Sequence, residues 1–242
     1  MANKIKFGTD GWRAIIAEEF TTENVARVSY ATAKWLKANY DHPRVVIGHD
    51  CRFAGALFVD VATKIFLSEG IHVRMAKGFV STPMISLAAF QYKCEIGVII
   101  TASHNPPSYN GFKLKAYFGG PLSPEHVQEV EDIIPDVCPV DYNAISIDGA
   151  IAAGQLEIVD LETRYVEHVK ANFDLDAISN SGMNLVYDAM YGAGQNVIKR
   201  ILPNTQLLHC ENNPSFYGQA PEPIAKNLQE LESYIKAKGD IY

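Results

Sequence analysis

Ile96-Gly97-Val98-Ile99-Ile100-Thr101-Ala102-Ser103-His104-Asn105-Pro106-Pro107-Ser108-Tyr109-Asn110-Gly111-Phe112-Lys113-Leu114-Lys115 is the stretch that decides the fold. Ile96–Ile100 has the length and β-branching of a buried strand. It empties into a loop of hydroxyl, imidazole and amide side chains closed by two consecutive prolines. Asn110-Gly111 is expected to turn the chain, and Phe112, Leu114, Ala116 and Phe118 then alternate with Lys113, Lys115 and Tyr117 as a second strand should. A serine at the mouth of a sheet with cations nearby suits a nucleophile or a phosphate carrier. A loop kept for its shape, with Ser103 as a cap, is the alternative.

Working back from that strand, the chain alternates strands and helices. Thr82-Pro83 opens a helix reaching about Tyr92, with proline where the first helical N–H needs no partner. Ile71-His-Val-Arg-Met75 reads as a strand, and Ala56 to Glu69 as a helix stopped by Gly70. Arg44-Val-Val-Ile-Gly48 is another short buried strand, with His49-Asp50-Cys51-Arg52 at its C-terminal end. Ligands bind at that end of open parallel sheets, although Asp50 and Arg52 could equally pair with each other. Thr22 caps a helix to about Asn39 with Val25, Val28, Ala31, Trp35 and Leu36 near one face. Phe7-Gly8-Thr9-Asp10-Gly11-Trp12-Arg13 is a turn-rich opening, or an N-terminal strand tied down by Trp12. This β-α-β-α-β order predicts an α/β fold with a mostly parallel sheet and helices on both faces.

Downstream, Ser123-Pro124-Glu125 caps a helix ending before Pro135. Residues 138–155 read as loop, with Pro139, Gly149 and Gly154. Asp160 to Phe173 reads as a helix. A second α/β unit follows: strand Asn184–Tyr187, the loop Asp188-Ala-Met-Tyr-Gly192-Ala-Gly194, helix Gln195–Leu202, strand Gln206–Cys210 and helix Pro223–Lys238. Two successive α/β/α units are therefore expected, 1–157 and 158–242, with mixed, mostly parallel sheets and the second unit incomplete. Gly239 would cap the last helix, and Gly239-Asp-Ile-Tyr242 points to a further strand. The chain is accordingly expected to be the N-terminal part of a longer protein.

Composition narrows the classes. The chain has 242 residues, 48% of them hydrophobic and 20% charged, as in a globular protein with a sizeable core. A formal net charge of −7 disfavours non-specific nucleic-acid binding, which relies on basic surface. There is no eighteen-residue apolar run and no signal-peptide pattern, so no membrane partner is expected and a cytoplasmic setting is the simplest account. Cys51, Cys94, Cys138 and Cys210 are scattered, which argues against disulfides and zinc. Arg13, Arg52, Lys113 and Lys115, beside glycine-containing loops, are local basic exceptions.

The sequence holds no Gly-x-Ser-x-Gly, no Walker A motif and no His-Glu-x-x-His. A Ser-His-Asp hydrolase on Ser103 and His104 is unattractive, because neighbouring side chains in an extended loop diverge. Gly192-Ala-Gly194 between strand and helix, with Glu211 ending the next strand, admits a non-catalytic dinucleotide- or sugar-phosphate-binding module. Against it, Val197 stands where the third glycine or alanine belongs.

Thr101-Ala-Ser103-His104-Asn105-Pro106 followed by Asn110-Gly111-Phe-Lys113 resembles the phosphoserine loop of the α-D-phosphohexomutases. Phe7–Arg13, Gly48-His-Asp50-Cys-Arg52, Asp188–Gly194 and Pro221-Glu222-Pro223 are similar to further segments of that family. The resemblance implies four domains, of which this chain would hold the first and most of the second. It implies that Ser103 carries a phosphoryl group and exchanges it with hexose phosphates through a hexose bisphosphate. Arg13 and Lys113 would contact the phosphate and assist proton transfer, His104 would orient the loop or relay a proton, and Arg52 and Asn105 would bind phosphate. Mg²⁺ would sit on a phosphate oxygen of Ser103 and on three aspartates of an Asp-Gly-Asp-x-Asp-Arg loop. No such loop occurs in the sequence, and the sugar-recognition and phosphate-clamp segments of the later domains are absent too. The fragment alone is therefore expected to be inactive. Trp12-Arg13-Ala and Thr101-Ala-Ser103 look nearer to glucose and mannose members than to glucosamine ones. Lys115 is assigned to solubility or outer charge.

Overall fold

The computed structural model describes residues 4–8 and 11–238. Thr9 and Asp10 of the opening turn, and residues 239–242 where a cap and a strand are expected, lie outside the described residues. The first unit is a six-stranded sheet: β1 (Trp12–Ile15), β2 (Arg44–His49), β3 (His72–Phe79), β4 (Ile96–Ile100), β5 (Tyr109–Ala116) and β6 (Leu156–Val159). The strands lie in the order β1-β5-β4-β2-β3-β6. β2, β3, β4 and β6 run parallel, and β5 is antiparallel to both β4 and β1.

The helices fall where the crossovers send them. α2 (Gly55–Ser68) carries the chain from β2 outward to β3, and α3 (Thr82–Gln91) brings it back across β2 to β4. Parallel crossovers are right-handed as a rule, so a reversal of direction places the two helices on opposite faces. α1 (Thr22–Asn39) and α2 cover one face with Val28, Leu36, Phe58, Ile65 and Phe66, against Val45, Ile47, Val98, Ile100 and Phe112. α3 covers the other with Met84, Ile85, Ala88 and Ala89, against Val46 and Ile99. Both faces are covered, so β4 is buried along its whole length. Each Ile or Phe so buried stabilises by about 1.5–3 kcal/mol. Thr21 rather than Thr22 caps α1, accepting from the Asn24 N–H at 3.2 Å.

Asn110-Gly111 is not a turn. Both residues lie inside β5, with Asn110 opposite Ala14 and Gly111 opposite Arg13 of β1. β5 has a partner on each side there, and two ladders outweigh a local turn preference. The segment 138–155 is not wholly loop either, since it holds α5 (Ile147–Ala152) after α4 (Pro124–Asp132). The expected division at residue 157 falls within β6, whose residues Leu156–Val159 all pair with β3.

α6 (Leu161–Asn172), capped by Asp160, joins the two units. Its Leu161 and Val166 pack with Ile85, Ala88 and Ile99 of the first unit and with Val197 of the second. After α7 (Leu175–Ser179), the second unit pairs β7 (Val186–Asp188) in parallel with β8 (Gln206–Leu208) and adds α8 (Val197–Ile201) and α9 (Gln229–Lys238). None of the described α9 residues is buried.

Candidate functional site

Between β2 and β4 the sheet reverses its order of connection, the place where open α/β sheets form a crevice at the C-terminal ends of the strands. Asp50, Arg52 and the Ser103 loop occupy it. Ser103 is exposed and sits at φ 56°, in the left-handed region that a non-glycine residue rarely adopts. Its N–H donates to the Thr101 hydroxyl at 3.1 Å, and that hydroxyl donates in turn to Asp50 at 2.5 Å. The turn at Ser103 also brings its Oγ within 3.4 Å of His104 Nδ1, where an extended loop would hold the two side chains apart. No hydrolase triad results, because the nearby carboxylate, Asp50, is committed to Thr101 and to Arg52. Burial pushes the Asp50 carboxyl above the ordinary carboxylate range, against the opposing pull of Thr101 and Arg52. The neighbouring Cys51 thiol is pushed up to about 12, chiefly by burial, so it is not a nucleophile at neutral pH.

Arg52, expected at a phosphate, turns its guanidinium into the protein. Its side chain is fully buried, and its guanidinium donates to four backbone carbonyls of the loop. Nη2 reaches Ser103 O and Asn105 O, both at 2.7 Å, while Nη1 reaches Pro106 O at 2.8 Å and Tyr109 O at 3.0 Å. Nε faces the Asp50 carboxylate at 3.4 Å. The five N–H donors of an arginine are thereby all directed into the protein. Arg52 shapes the loop from beneath, and the pairing of Asp50 with Arg52, left open by the sequence, is present.

The other expected residues converge on the same edge. Arg13 Nη1 donates to the Asn105 amide oxygen at 2.9 Å, joining β1 to the loop. Because Gly111 lies opposite Arg13, Arg13 and Lys113 stand on one face of the sheet. Gly11, at φ 97°, leaves room for Lys113: a Cβ on it would stand 2.7 Å from Lys113 Cγ. Lys113 and Lys115 are both buried, so neither is a solvated strand residue. Gly97 across the ladder from Lys115 makes space for its stem.

The second unit adds residues that the sequence did not single out. Phe216, 3% exposed, lies with its ring centroid 5.2 Å from the Arg52 guanidinium carbon. The Gln195 amide donates to Gly192 O at 3.1 Å and reaches Cys51 Sγ at 3.6 Å. Nothing local marks Phe216, whose partner lies far upstream. Thr101 and Gln195 are ordinary polar residues until the fold places them.

Gly194 is where a dinucleotide would approach the backbone, but a Cβ there would collide with the Tyr187 hydroxyl. The space over the glycine belongs to the protein's own tyrosine. Glu211 accepts from the Tyr217 hydroxyl at 3.3 Å. That contact is exposed, so it is the Tyr187 hydroxyl over Gly194 that disfavours the dinucleotide reading. Among the described residues no three His, Cys, Asp or Glu side chains come together in a way that could hold a metal ion. No described helix is long and apolar enough to cross a membrane.

Comparison with known proteins matches residues 4–137 to the phosphoglucomutase/phosphomannomutase α/β/α domain I and residues 163–241 to domain II of the same family. The chain belongs to the phosphoglucomutase/phosphomannomutase family. Over 240 residues it is 32% identical to the phosphoglucomutase/phosphomannomutase of Thermococcus kodakarensis, covering 96% of this chain and 51% of that protein. It is also 32% identical over 238 residues to the phosphoglucosamine mutase of Methanococcus maripaludis, covering 95% and 48%. The crystal structure of a phosphomannomutase candidate from Thermus thermophilus superposes with a TM-score of 0.87 at 34% identity, over 97% of this chain and 52% of that one. The chain spans about half the length of the curated relatives it matches.

Proposed function

We propose that the chain is the phosphoserine-bearing part of a phosphohexomutase, with Ser103 as the phosphate carrier. One observation carries this reading: the exposed Ser103 side chain stands at the strand-switch crevice on a loop whose backbone is fixed by the buried Arg52 guanidinium. Phosphoryl transfer depends chiefly on positioning and charge neutralisation, and such a loop supplies the first. Arg13 and Lys113, on the adjoining strands, supply positive charge.

In the proposed cycle the Oγ–P bond of phosphorylated Ser103 breaks as a sugar hydroxyl of a hexose monophosphate attacks phosphorus. The hydroxyl proton leaves to a base, the departing Ser103 Oγ takes up a proton in its place, and a hexose bisphosphate results. The bisphosphate turns over, its other phosphoryl group returns to Ser103, and the opposite monophosphate departs. Lys113 and Arg13 accompany the charge, and His104 is placed to orient the serine or carry a proton. Mg²⁺ is the metal expected of the family; a phosphate oxygen on phosphorylated Ser103 would be its ligand from this chain, and the ion would neutralise charge on the transferred group. Relatives named for glucose, mannose and glucosamine phosphates stand at similar identity, so the proposal extends to hexose phosphates as a class. The four free thiols support a cytoplasmic setting. The 242-residue chain by itself is proposed to turn over negligible sugar.

Intact-mass measurement and peptide mapping of the full-length protein containing this chain, after incubation with glucose 1,6-bisphosphate, test the reading. The expected result is a single phosphoryl adduct on Ser103 that disappears in Ser103→Ala. An adduct confined to other residues refutes it, as does rapid mutase turnover by the Ser103→Ala protein.

A further inference from the structure

Arg52 holds the Ser103 loop from below, but a guanidinium reaching four carbonyls holds them firmly only while water is kept off it. A carbonyl that can exchange its donor for solvent gains little from the protein, whereas the same bond in a dry site is strong. On one side Arg52 is closed by the first unit. Its guanidinium carbon stands over the ring of Phe216, which belongs to the second unit and is itself buried. Phe216 takes φ 48°, and Tyr217 beside it φ 49°, so the backbone bends in an unfavourable region to deliver the ring there. The contact is reinforced next door by Gln195, which ties the loop at Gly192 to Cys51, the residue preceding Arg52.

We infer that Phe216 is a positioning residue for Ser103: by covering the Arg52 guanidinium it makes the order of the Ser103–Tyr109 loop depend on the second unit. The contact through which Phe216 acts is the one with the Arg52 guanidinium. Its effect passes through one side chain, Arg52, whose donors are interleaved with the loop's own bonds from Asn105 N–H to Ala102 O and from Tyr109 N–H to Pro106 O, each 3.0 Å. The loop is thereby a reporter of the seam between the units. Only the consequence for phosphoryl chemistry rests on the function proposed above; the positioning itself concerns the loop's backbone.

Native-state amide exchange, read residue by residue by NMR on the intact chain, tests the inference without any sugar. Phe216→Leu keeps an apolar cover but removes the aromatic face. It is expected to speed exchange at Asn105 and Tyr109 about tenfold, the factor matching loss of a desolvated cation–ring contact. Amides of β2 and β4 should keep their wild-type rates. Phe216→Tyr, which retains the ring, should restore the loop rates to within about twofold. Arg52→Lys, which keeps the charge but cannot reach four carbonyls, should speed the same two amides with Phe216 in place. Unchanged loop exchange in Phe216→Leu overturns the inference. So does an equal rise through β2 and β4, which marks general loosening, or a failure of Phe216→Tyr to restore the loop. Absence of a phosphoryl adduct on Ser103 would refute the proposed function while leaving the exchange result intact, so the two failures are distinguishable.

Discussion

Replacing Arg52 with methionine is the sharpest test of how the Ser103 loop is built. Methionine fills much of the apolar stem's volume, so the loss is concentrated in the guanidinium. Four hydrogen bonds to carbonyls of residues 103, 105, 106 and 109 disappear together with the ion pair to Asp50. A hydrogen bond to a charged donor contributes about 1.5–3 kcal/mol, which gives a gross loss of roughly 6–12 kcal/mol for four. Against that stands the cost of burying the cation, several kcal/mol, which the variant no longer incurs. The net destabilisation should be about 3–5 kcal/mol, the range seen when one partner of a buried ion pair is removed. Part of it arises because Asp50 is left buried without its cation, in a site where burial already pushes its carboxyl upward. Asp50→Asn combined with Arg52→Met should therefore cost less than the sum of the two single changes, by about 1 kcal/mol or more. Urea unfolding of all four proteins, followed by far-ultraviolet circular dichroism and by tryptophan fluorescence, supplies the numbers. A loss below about 1 kcal/mol for Arg52→Met, or strict additivity with Asp50→Asn, would show that the loop holds its shape without the guanidinium.

Two further expectations concern the second unit. The ring nitrogens of His209 face Asp188 at 2.8 Å and Glu230 at 3.2 Å, and in the imidazolium both donate; burial lowers its pKa, but the two carboxylates outweigh burial and hold it above the ordinary imidazole value. Stability from this contact is complete below pH about 6.5 and is lost as pH rises through the raised value, so His209→Gln should flatten that part of the thermal-stability profile, and an unchanged slope would refute it. Gly194→Ala meets the Tyr187 hydroxyl and should destabilise by about 1–3 kcal/mol in denaturant titrations. Adding Tyr187→Phe, which removes that hydroxyl, should recover part of the loss.

What the sequence revealed and what it hid divide along physical lines. β2 and β4 were legible because strands buried on both faces must be apolar throughout, β3 because Ile71, Val73 and Met75 alternate with His72 and Arg74, and α3 and α4 because a proline in the first turn and, for α4, the Ser123 cap are local chemistry. At α3 Ser81, not Thr82, holds the cap position, with no side-chain hydrogen bond. Asn110-Gly111 misled because a hairpin signal is local, whereas the strand there is imposed by β1 and β4 on either side. β6 was overlooked because two of its four residues are exposed, which leaves little apolar pattern. At the site, Ser103, His104, Asn105, Arg13 and Lys113 were legible as a motif. The role of Arg52 was not: a positive charge beside a presumed phosphate site suggests an anion partner, and no residue type announces that its donors turn toward carbonyls. Phe216 left no sequence signal, since its importance comes solely from what lies beneath it.

The position of that ring has a consequence for biosynthesis. Ribosomes deliver Arg52 first, then the serine loop, and Phe216 only when the second unit is being made. A nascent chain that has completed the six-stranded sheet thus presents Ser103 on a loop whose anchor is still wet on one side. The loop gains its full cover late, after the neighbouring unit has closed over the arginine, so a chain interrupted between the two units would display Ser103 on a loop held by Arg52 without the ring of Phe216.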